Sequence, residues 1–418
     1  MSPIIGLEAQ RGAKMGIIMK DFNYFSPTEI IFGCGRVEEI AGLAARFGER
    51  VLMVTESMDA PLAPVFVRIK NILEGAGMTV AQFDGVEPNP TTDQVTEGAR
   101  LAKSMGAQVV IGIGGGSSMD TAKAVAVEAA HSGSAWDYNC HTEGPTEKTL
   151  PIIAVGTTAG TGSQVTQCAV ITRTADKDKS AIWHKNIFPK IAIVDPELTV
   201  TMPGAVTAQT GFDAFCHNFE AYLSVNTNPL VELMALEGIR IIIENLPKVL
   251  EDGGNIEARS QMAWADTLGG FTNSNAGVTL PHGLGMQVGG HCPWVTHGQA
   301  LAAFYPAFTR YTYPAAIEKF AAVGRIFNQE LVSVSDEMAA CMACDEIDGF
   351  LKKIGLWFGY KDKGVTMEDL REIADCGQVL GDYLNNPRVA SIDEMYELLV
   401  SCYERKTRSL TKVSKDAT

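Results

Sequence analysis

The chain predicts an N-terminal α/β domain built on a parallel, doubly wound sheet, followed by an all-α C-terminal domain. Two observations carry that reading. Five short, almost wholly apolar runs alternate with helical stretches through the first half, and beyond about residue 205 the periodicity is helical alone. Strands covered on both faces read as unbroken apolar runs, and alternation of strand with helix implies βαβ units.

Residues 1–21 precede that pattern. They interleave charge with apolar residues and lack the continuous core of a signal peptide. They read as a disordered leader, or as sequence upstream of an alternative start at Met15 or Met19; a short docking peptide, for instance for a protein shell, is the other reading. The α/β domain is expected over 22–201, with strands VLMVTES (51–57), TVAQFDGV (79–86), QVVIGIGG (108–115), PIIAVGTT (151–158) and KIAIVDPE (190–197). Helical patterns at 63–77 and 92–106 lie between them. Strand signals stop around Thr201, so a helical domain is expected over 202–418, with helices at 229–250 and 367–384.

A chain of 418 residues accommodates two or three domains, and 46% hydrophobic against 20% charged residues allows a sizeable core. The net charge of −15 argues against nucleic acid or an anionic membrane as partner. No apolar run reaches the roughly 18 residues of a membrane span. The nine cysteines are scattered and fit reduced thiols in a cytoplasmic protein. Only Cys341 and Cys344 form a C-x-x-C. That pair reads as mid-helix, where cysteine is a small apolar residue, and not as the strand-to-helix turn of a redox site.

VVIGIGGGSSMDTAKAVAVEAA reads as strand, glycine loop, helix. Gly114, Gly115, Gly116 and Ser117 let backbone approach a diphosphate, and Asp120-Thr-Ala-Lys then opens a helix whose amino end favours anions. It is neither G-x-G-x-x-G nor a P-loop, and a plain βα turn is the alternative. Glu56 ends the run VLMVTE. A carboxylate there accepts from ribose hydroxyls and repels a 2′-phosphate, which implies NAD(H) over NADP(H); a solvated loop acid is the bland reading. VGTTAGTGSQVTQ (155–167) offers the hydroxyls of Thr157, Thr158, Thr161 and Ser163 on a glycine-rich turn.

The second half carries the stronger signal. Among seven histidines, three join one aspartate in an ordered set: Asp213, His217, His282 and His297. Asp213 and His217 stand four apart, one helical turn, on one face. Three neutral imidazoles and a carboxylate suit a divalent first-row metal, Fe2+ or Zn2+, better than oxygen-seeking Mg2+ or Ca2+. Core or surface histidines without a metal are the alternative.

With EPNP (87–90), GGGSSMDTAK (114–123), TTAGTGSQVT (157–166), the D-x3-H pair and the later histidines in this order, the chain resembles the iron-containing (group III) alcohol dehydrogenases from about Phe22 onward. The resemblance implies a dinucleotide-binding α/β domain, a helical metal-binding domain, and an active site between them. It implies that Glu56, Asn89, Gly115, Gly116, Ser117, Thr157, Thr158 and Lys179 hold NAD(P), and that Asp213, His217, His282 and His297 ligate iron. It also implies a homodimer or larger oligomer.

The chain departs from the family pattern in three places. Met286 stands where a second histidine often follows the third ligand. The His282–His297 interval is one residue longer than usual, which makes His291 a rival fourth ligand; His297 is preferred because His297-Gly298 keeps the family's His-Gly pair. Gln164 stands where a glutamate is common, and one acid fewer would ease an anionic substrate into the cleft.

The mechanism implied is Lewis-acid polarisation of an aldehyde or alcohol oxygen by the metal, with hydride passing to or from nicotinamide C4. With Met286 in place, His291 is a candidate proton relay. The substrate is a short primary alcohol or aldehyde, up to a diol. His184 and Lys185, close after Lys179, could instead face the anionic group of a sulfonate- or phosphonate-bearing aldehyde, or form an exposed turn. The rival activities are a dehydroquinate-synthase-like lyase and a non-catalytic binding protein. The ligand spacing and TTAGTGS disfavour the first, and the intact ligands and glycine loop disfavour the second.

Overall fold

The computed structural model describes residues 21–175 and 177–405, so the expected leader lies almost wholly outside the described residues. Six strands form one parallel sheet in the order β1-β8-β5-β4-β2-β3. They are β1 (Glu29–Phe32), β2 (Arg50–Glu56), β3 (Thr79–Val86), β4 (Val109–Gly114), β5 (Ile152–Gly156) and β8 (Ile191–Val194). The register is set where apolar runs lie side by side, as in Val110↔Ile152 and Ile111↔Ile153.

Helices cover both faces. α1 (Ile40–Ala44) and α2 (Ala63–Gly75) close one apolar layer with Val51, Met53, Ile111 and Ile193. α3 (Thr92–Met105) and α4 (Gly116–Ala130) close the other with Leu52, Val54 and Val110. That is why the strands show no polar alternation. α3 starts at a capping box, Thr91 with Gln94, and stops at Gly106 with φ 61.

β2 and β4 are neighbours, while β3 lies outside β2 and β5 outside β4. The winding therefore reverses between β2 and β4, and the crevice at their carboxyl ends is where such sheets bind ligands. Glu56 ends β2 and Gly114 ends β4, one on each lip.

The sequence reading missed an antiparallel pair, β6 (Cys168–Arg173) with β7 (Asp178–Trp183). Its short run of mixed polarity resembled a loop, yet β7 delivers Lys179 to the site.

Beyond Val194 the described residues contain helices only: α5 (Gly204–Leu223), α6 (Pro229–Glu251), α7 (Ile256–Ala276), α8 (Leu280–His291), α9 (His297–Thr312), α10 (Ile317–Phe327), α11 (Asp336–Lys353), α12 (Met367–Asp375) and α13 (Ile392–Ser401), with short 3-10 turns between some of them. They share one core around Phe212, Phe215, Phe219, Tyr305 and Phe308. The helix expected over 367–384 ends at Asp375; Gly377 and Gly381 break the pattern, and a separate 3-10 turn runs from Gly381 to Asn385. Cys341 and Cys344 lie within α11, the first exposed and the second buried. No described helix is long and apolar enough to cross a membrane.

Candidate active site

Two helical turns of α5 present three groups on one face: Asp213, His217 and Glu220, spaced i, i+4 and i+7. α8 adds His282 from its first turn, and α9 adds His297 as its first residue. Asp213, His217 and His282 lie with ligand atoms all within 4.8 Å of one another. His282 Nε2 is 3.4 Å and His297 Nε2 3.7 Å from Asp213 Oδ1.

Each imidazole is aimed by its own contacts. His217 Nδ1 donates to Gly160 O at 3.1 Å, and His282 Nδ1 donates to Glu220 Oε1 at 2.8 Å. The bond to Glu220 leaves His282 Nε2 turned toward Asp213, the arrangement usual for metal-binding histidines, and His217 is held beside the same carboxylate, its Nδ1 3.9 Å from Asp213 Oδ1. Glu220 is fully buried and also accepts from Thr279 N and Oγ1 and from Tyr305 OH.

The electrostatics fit a cation. Burial pushes the Asp213 carboxyl up, but the surrounding His217, His282 and His297 outweigh it and hold it at about 2. Burial pushes His297 down to about 3, so its ring is neutral. Burial also works against a charged His282, yet Glu220 and Asp213 raise it to about 10, so its Nε2 holds a proton that a bound cation would displace. Asp213 Oδ1 and His282 Nε2 are buried and have no hydrogen-bond partner among the described residues. Unmade bonds on two facing buried atoms are costly unless something joins them, and a divalent metal fits this donor set.

His291 is not brought to this cluster. It sits at the end of α8, where its Nδ1 donates to Gln287 O at 3.0 Å and its Nε2 is 4.0 Å from Glu372. It does not line the cavity, so neither the rival-ligand nor the relay expectation has a geometric basis. Met286, one turn after His282, does line it and is 8% exposed.

The cavity, about 340 Å³, runs from these histidines to the glycine loop. α4 begins at Gly116, four residues before the expected Asp120, so Ser117 is in its first turn. A Cβ on Gly116 would come within 2.7 Å of Thr161. Thr161 can thus pack against the glycine loop only because position 116 has no side chain. Gly116, Ser117 and Thr161 line the cavity, Thr158 packs beside Gly115, and Thr157 joins the tips of β4 and β5 through its N–H to Gly114 O at 3.0 Å. Thr157 Oγ1 is buried without a partner.

Asn89, at φ 57, accepts from Lys179 Nζ at 2.7 Å, and both residues line the cavity. Burial lowers the Lys179 ammonium to about 8. Glu56 stands at the β2 tip, outside the cavity lining, with its carboxyl pushed up by partial burial.

Asp120 lines the cavity, but its carboxylate is engaged elsewhere. It accepts from Ser163 Oγ at 2.6 Å and Val170 N at 3.0 Å and lies 3.6 Å from the fully buried Lys123. It braces α4 against the β6–β7 pair, and this geometry does not leave it free for a cofactor.

Gln164 is also reassigned. It does not line the cavity; its Nε2 donates to Asp266 Oδ2 at 2.7 Å. Its amide is needed as a donor to that acid, so its bearing on substrate charge is lost. His184 caps a 3-10 turn through Asn186 N and packs by Gly144, and neither it nor Lys185 lines the cavity. Trp183 does, as does Asp382, whose burial raises its carboxyl to about 7.

Comparison with known proteins agrees with this arrangement. The family description "Iron-containing alcohol dehydrogenase" matches residues 27–196, and "Fe-containing alcohol dehydrogenase family, C-terminal" matches 207–403. The chain is 34% identical over 384 residues to the NAD-dependent methanol dehydrogenase of Bacillus methanolicus, covering 90% of this chain and 98% of that one. An archaeal halo-thermophilic alcohol dehydrogenase from a Red Sea brine pool superposes with TM-score 0.87 and 33% identity, covering 91% and 99% of the two chains. The sulfoacetaldehyde reductase of Bifidobacterium kashiwanohense superposes with TM-score 0.79 and 28% identity, covering 92% and 99%. The chain belongs to the iron-containing alcohol dehydrogenase family, and it is an oxidoreductase acting on CH–OH groups.

Proposed function

We propose that the chain is an NAD(H)-linked, iron-dependent alcohol dehydrogenase or aldehyde reductase for a short primary alcohol or aldehyde. The observation that carries this reading is the facing pair Asp213 Oδ1 and His282 Nε2, 3.4 Å apart and partnerless, in a cavity that continues to the Gly116–Ser117 loop. Asp213, His217, His282 and His297 would hold the metal, whose chemistry when bound is Lewis acidity toward a carbonyl or alcohol oxygen.

The protein's own residues do the rest. Gly116, Ser117 and the first turn of α4 bind a diphosphate through backbone N–H groups. Lys179, steadied by Asn89, orients the ribose and nicotinamide end. Glu56 on the β2 lip favours the unphosphorylated ribose of NAD(H). Met286, Val278 and Leu380 line the cavity with apolar surface and keep water from the transferring hydride. With Met286 where an acid–base group could stand, Lys179 is the amine on the cavity wall, and burial brings its ammonium to about 8, within the range of a group that can hold or release a proton.

A second reading, reduction of a small anionic aldehyde, is favoured by Lys179, the lone lysine or arginine among the described residues of the cavity wall, and by the likeness to a sulfoacetaldehyde reductase. Asp382 on the same wall opposes it. Anaerobic NADH oxidation by the iron-loaded protein, with propionaldehyde and sulfoacetaldehyde side by side, decides between them. Turnover of neither, with metal bound, would sink both readings.

A further inference from the structure

We propose that Asp266 is a positioning residue that couples the metal site to the dinucleotide site through the loop Gly160–Gln164. The inference rests on the metal and cofactor assignments just made. Asp266 belongs to α7, a helix that supplies no metal ligand, and it is 2% exposed. Its Oδ1 accepts from Gly160 N and Gly162 N, both at 2.7 Å, and its Oδ2 accepts from Gln164 Nε2 at 2.7 Å. Burial pushes this carboxyl up to about 7 while the three donors pull it back.

The loop so held faces both ligands. On one side, Gly160 O accepts the Nδ1–H of His217 and so fixes that ring beside Asp213 and His282. On the other side, Thr161 packs on Gly116 and lines the cavity. Ser163 N donates to Thr161 Oγ1 at 3.2 Å, and Ser163 Oγ donates to Asp120 on the cofactor helix. The fit beneath is tight: a Cβ on Gly162, whose φ is +61, would lie 2.5 Å from the Cα of Gly270.

One ordered loop therefore serves two binding events. A metal that fixes His217 fixes Gly160. Through Asp266 it also fixes Gly162, and with it the position of Thr161 against the diphosphate loop. Whichever ligand binds first meets the cost of ordering the loop, and the second binds more tightly. Asp266 touches neither ligand and acts only by holding the loop.

The test measures NADH affinity by fluorescence, without turnover, on the full chain stripped of metal and on the same sample loaded with Zn2+. The expected result is NADH binding tighter by about fivefold or more in the loaded protein. In Asp266→Asn the carboxylate that takes three N–H groups becomes a neutral amide, and Gln164 has to turn over to offer Oε1 to the new N–H. The ratio should fall toward one while both ligands still bind. The double variant Asp266→Asn, Gln164→Glu restores the carboxylate–amide pair with the partners exchanged and should recover the ratio, which a general loss of stability would not do. A ratio of one in the unaltered protein overturns the coupling, as does an undiminished ratio in Asp266→Asn. Failure of the double variant to recover the ratio while folded would show that Asp266 does not act through this pairing. Absence of Zn2+ or NADH binding altogether would instead defeat the underlying site assignment, and the inference with it.

Discussion

Glu220 Oε1 and His282 Nδ1 form a 2.8 Å hydrogen bond wholly inside the helical half, and this bond decides which nitrogen of His282 faces the other ligands. A carboxylate there makes the imidazole a better donor to a cation than a neutral amide can. Glu220→Gln, which keeps size and shape, should weaken metal binding by about 10–100-fold. Competition against a chelator reads this directly, and an unchanged constant would show that Glu220 is only a packing residue.

His282→Ala should abolish both metal content and turnover. His291→Gln should leave both as they are, because His291 bonds Gln287 O and stands near Glu372, away from the cavity. Metal analysis and NADH oxidation on the two variants check the pair. Loss of metal in the second variant would return His291 to the ligand set.

Glu56→Ser should improve kcat/KM for NADPH by about tenfold or more, with a smaller change for NADH, since a carboxylate repels a 2′-phosphate. Unchanged discrimination would place selectivity elsewhere on the β2 lip.

Lys179 sets a pH dependence of stability in the metal-free protein. Burial lowers its ammonium from 10.5 to about 8. Below about 8 both folded and unfolded chains hold the proton, and the burial penalty is present in full. Between about 8 and 10.5 the unfolded chain binds more protons, so stability rises with pH. Thermal melts of the protein and of Lys179→Met, at about pH 7.5 and about pH 10, should show the unaltered chain gaining on the variant at the higher pH. A constant gap between the two would contradict this.

Asp382 shares the cavity wall with Met286 and Leu380. Asp382→Asn removes a negative charge that an anionic substrate would meet. It should raise kcat/KM for sulfoacetaldehyde relative to propionaldehyde by about tenfold. Equal effects on both aldehydes would mean that the side chain faces neither.

Much of this was legible in the residues themselves. Asp213 and His217 announced a shared helical face by their spacing, and the apolar run into Gly114-Gly115-Gly116 announced a strand feeding a phosphate-sized turn. Glu220 was within reach of the same logic, seven residues after Asp213, but a glutamate near the end of an apolar helix looks like any surface acid until its burial is seen. Asp266 gave no signal at all, because its partners, two backbone N–H groups and the Gln164 amide, lie about a hundred residues away. Gln164 and His184 misled for the opposite reason: a polar side chain near a motif shows its chemistry in the sequence but not its direction. The β6–β7 pair was hidden because alternation over six residues, split by charged turn residues, is what a loop also looks like.

Gly162 and Gly270 touch backbone to backbone, with no side chain between them. A methyl group at either glycine would have to wedge the Gly160–Gln164 loop away from α7, and the spacing of everything that loop carries would shift with it.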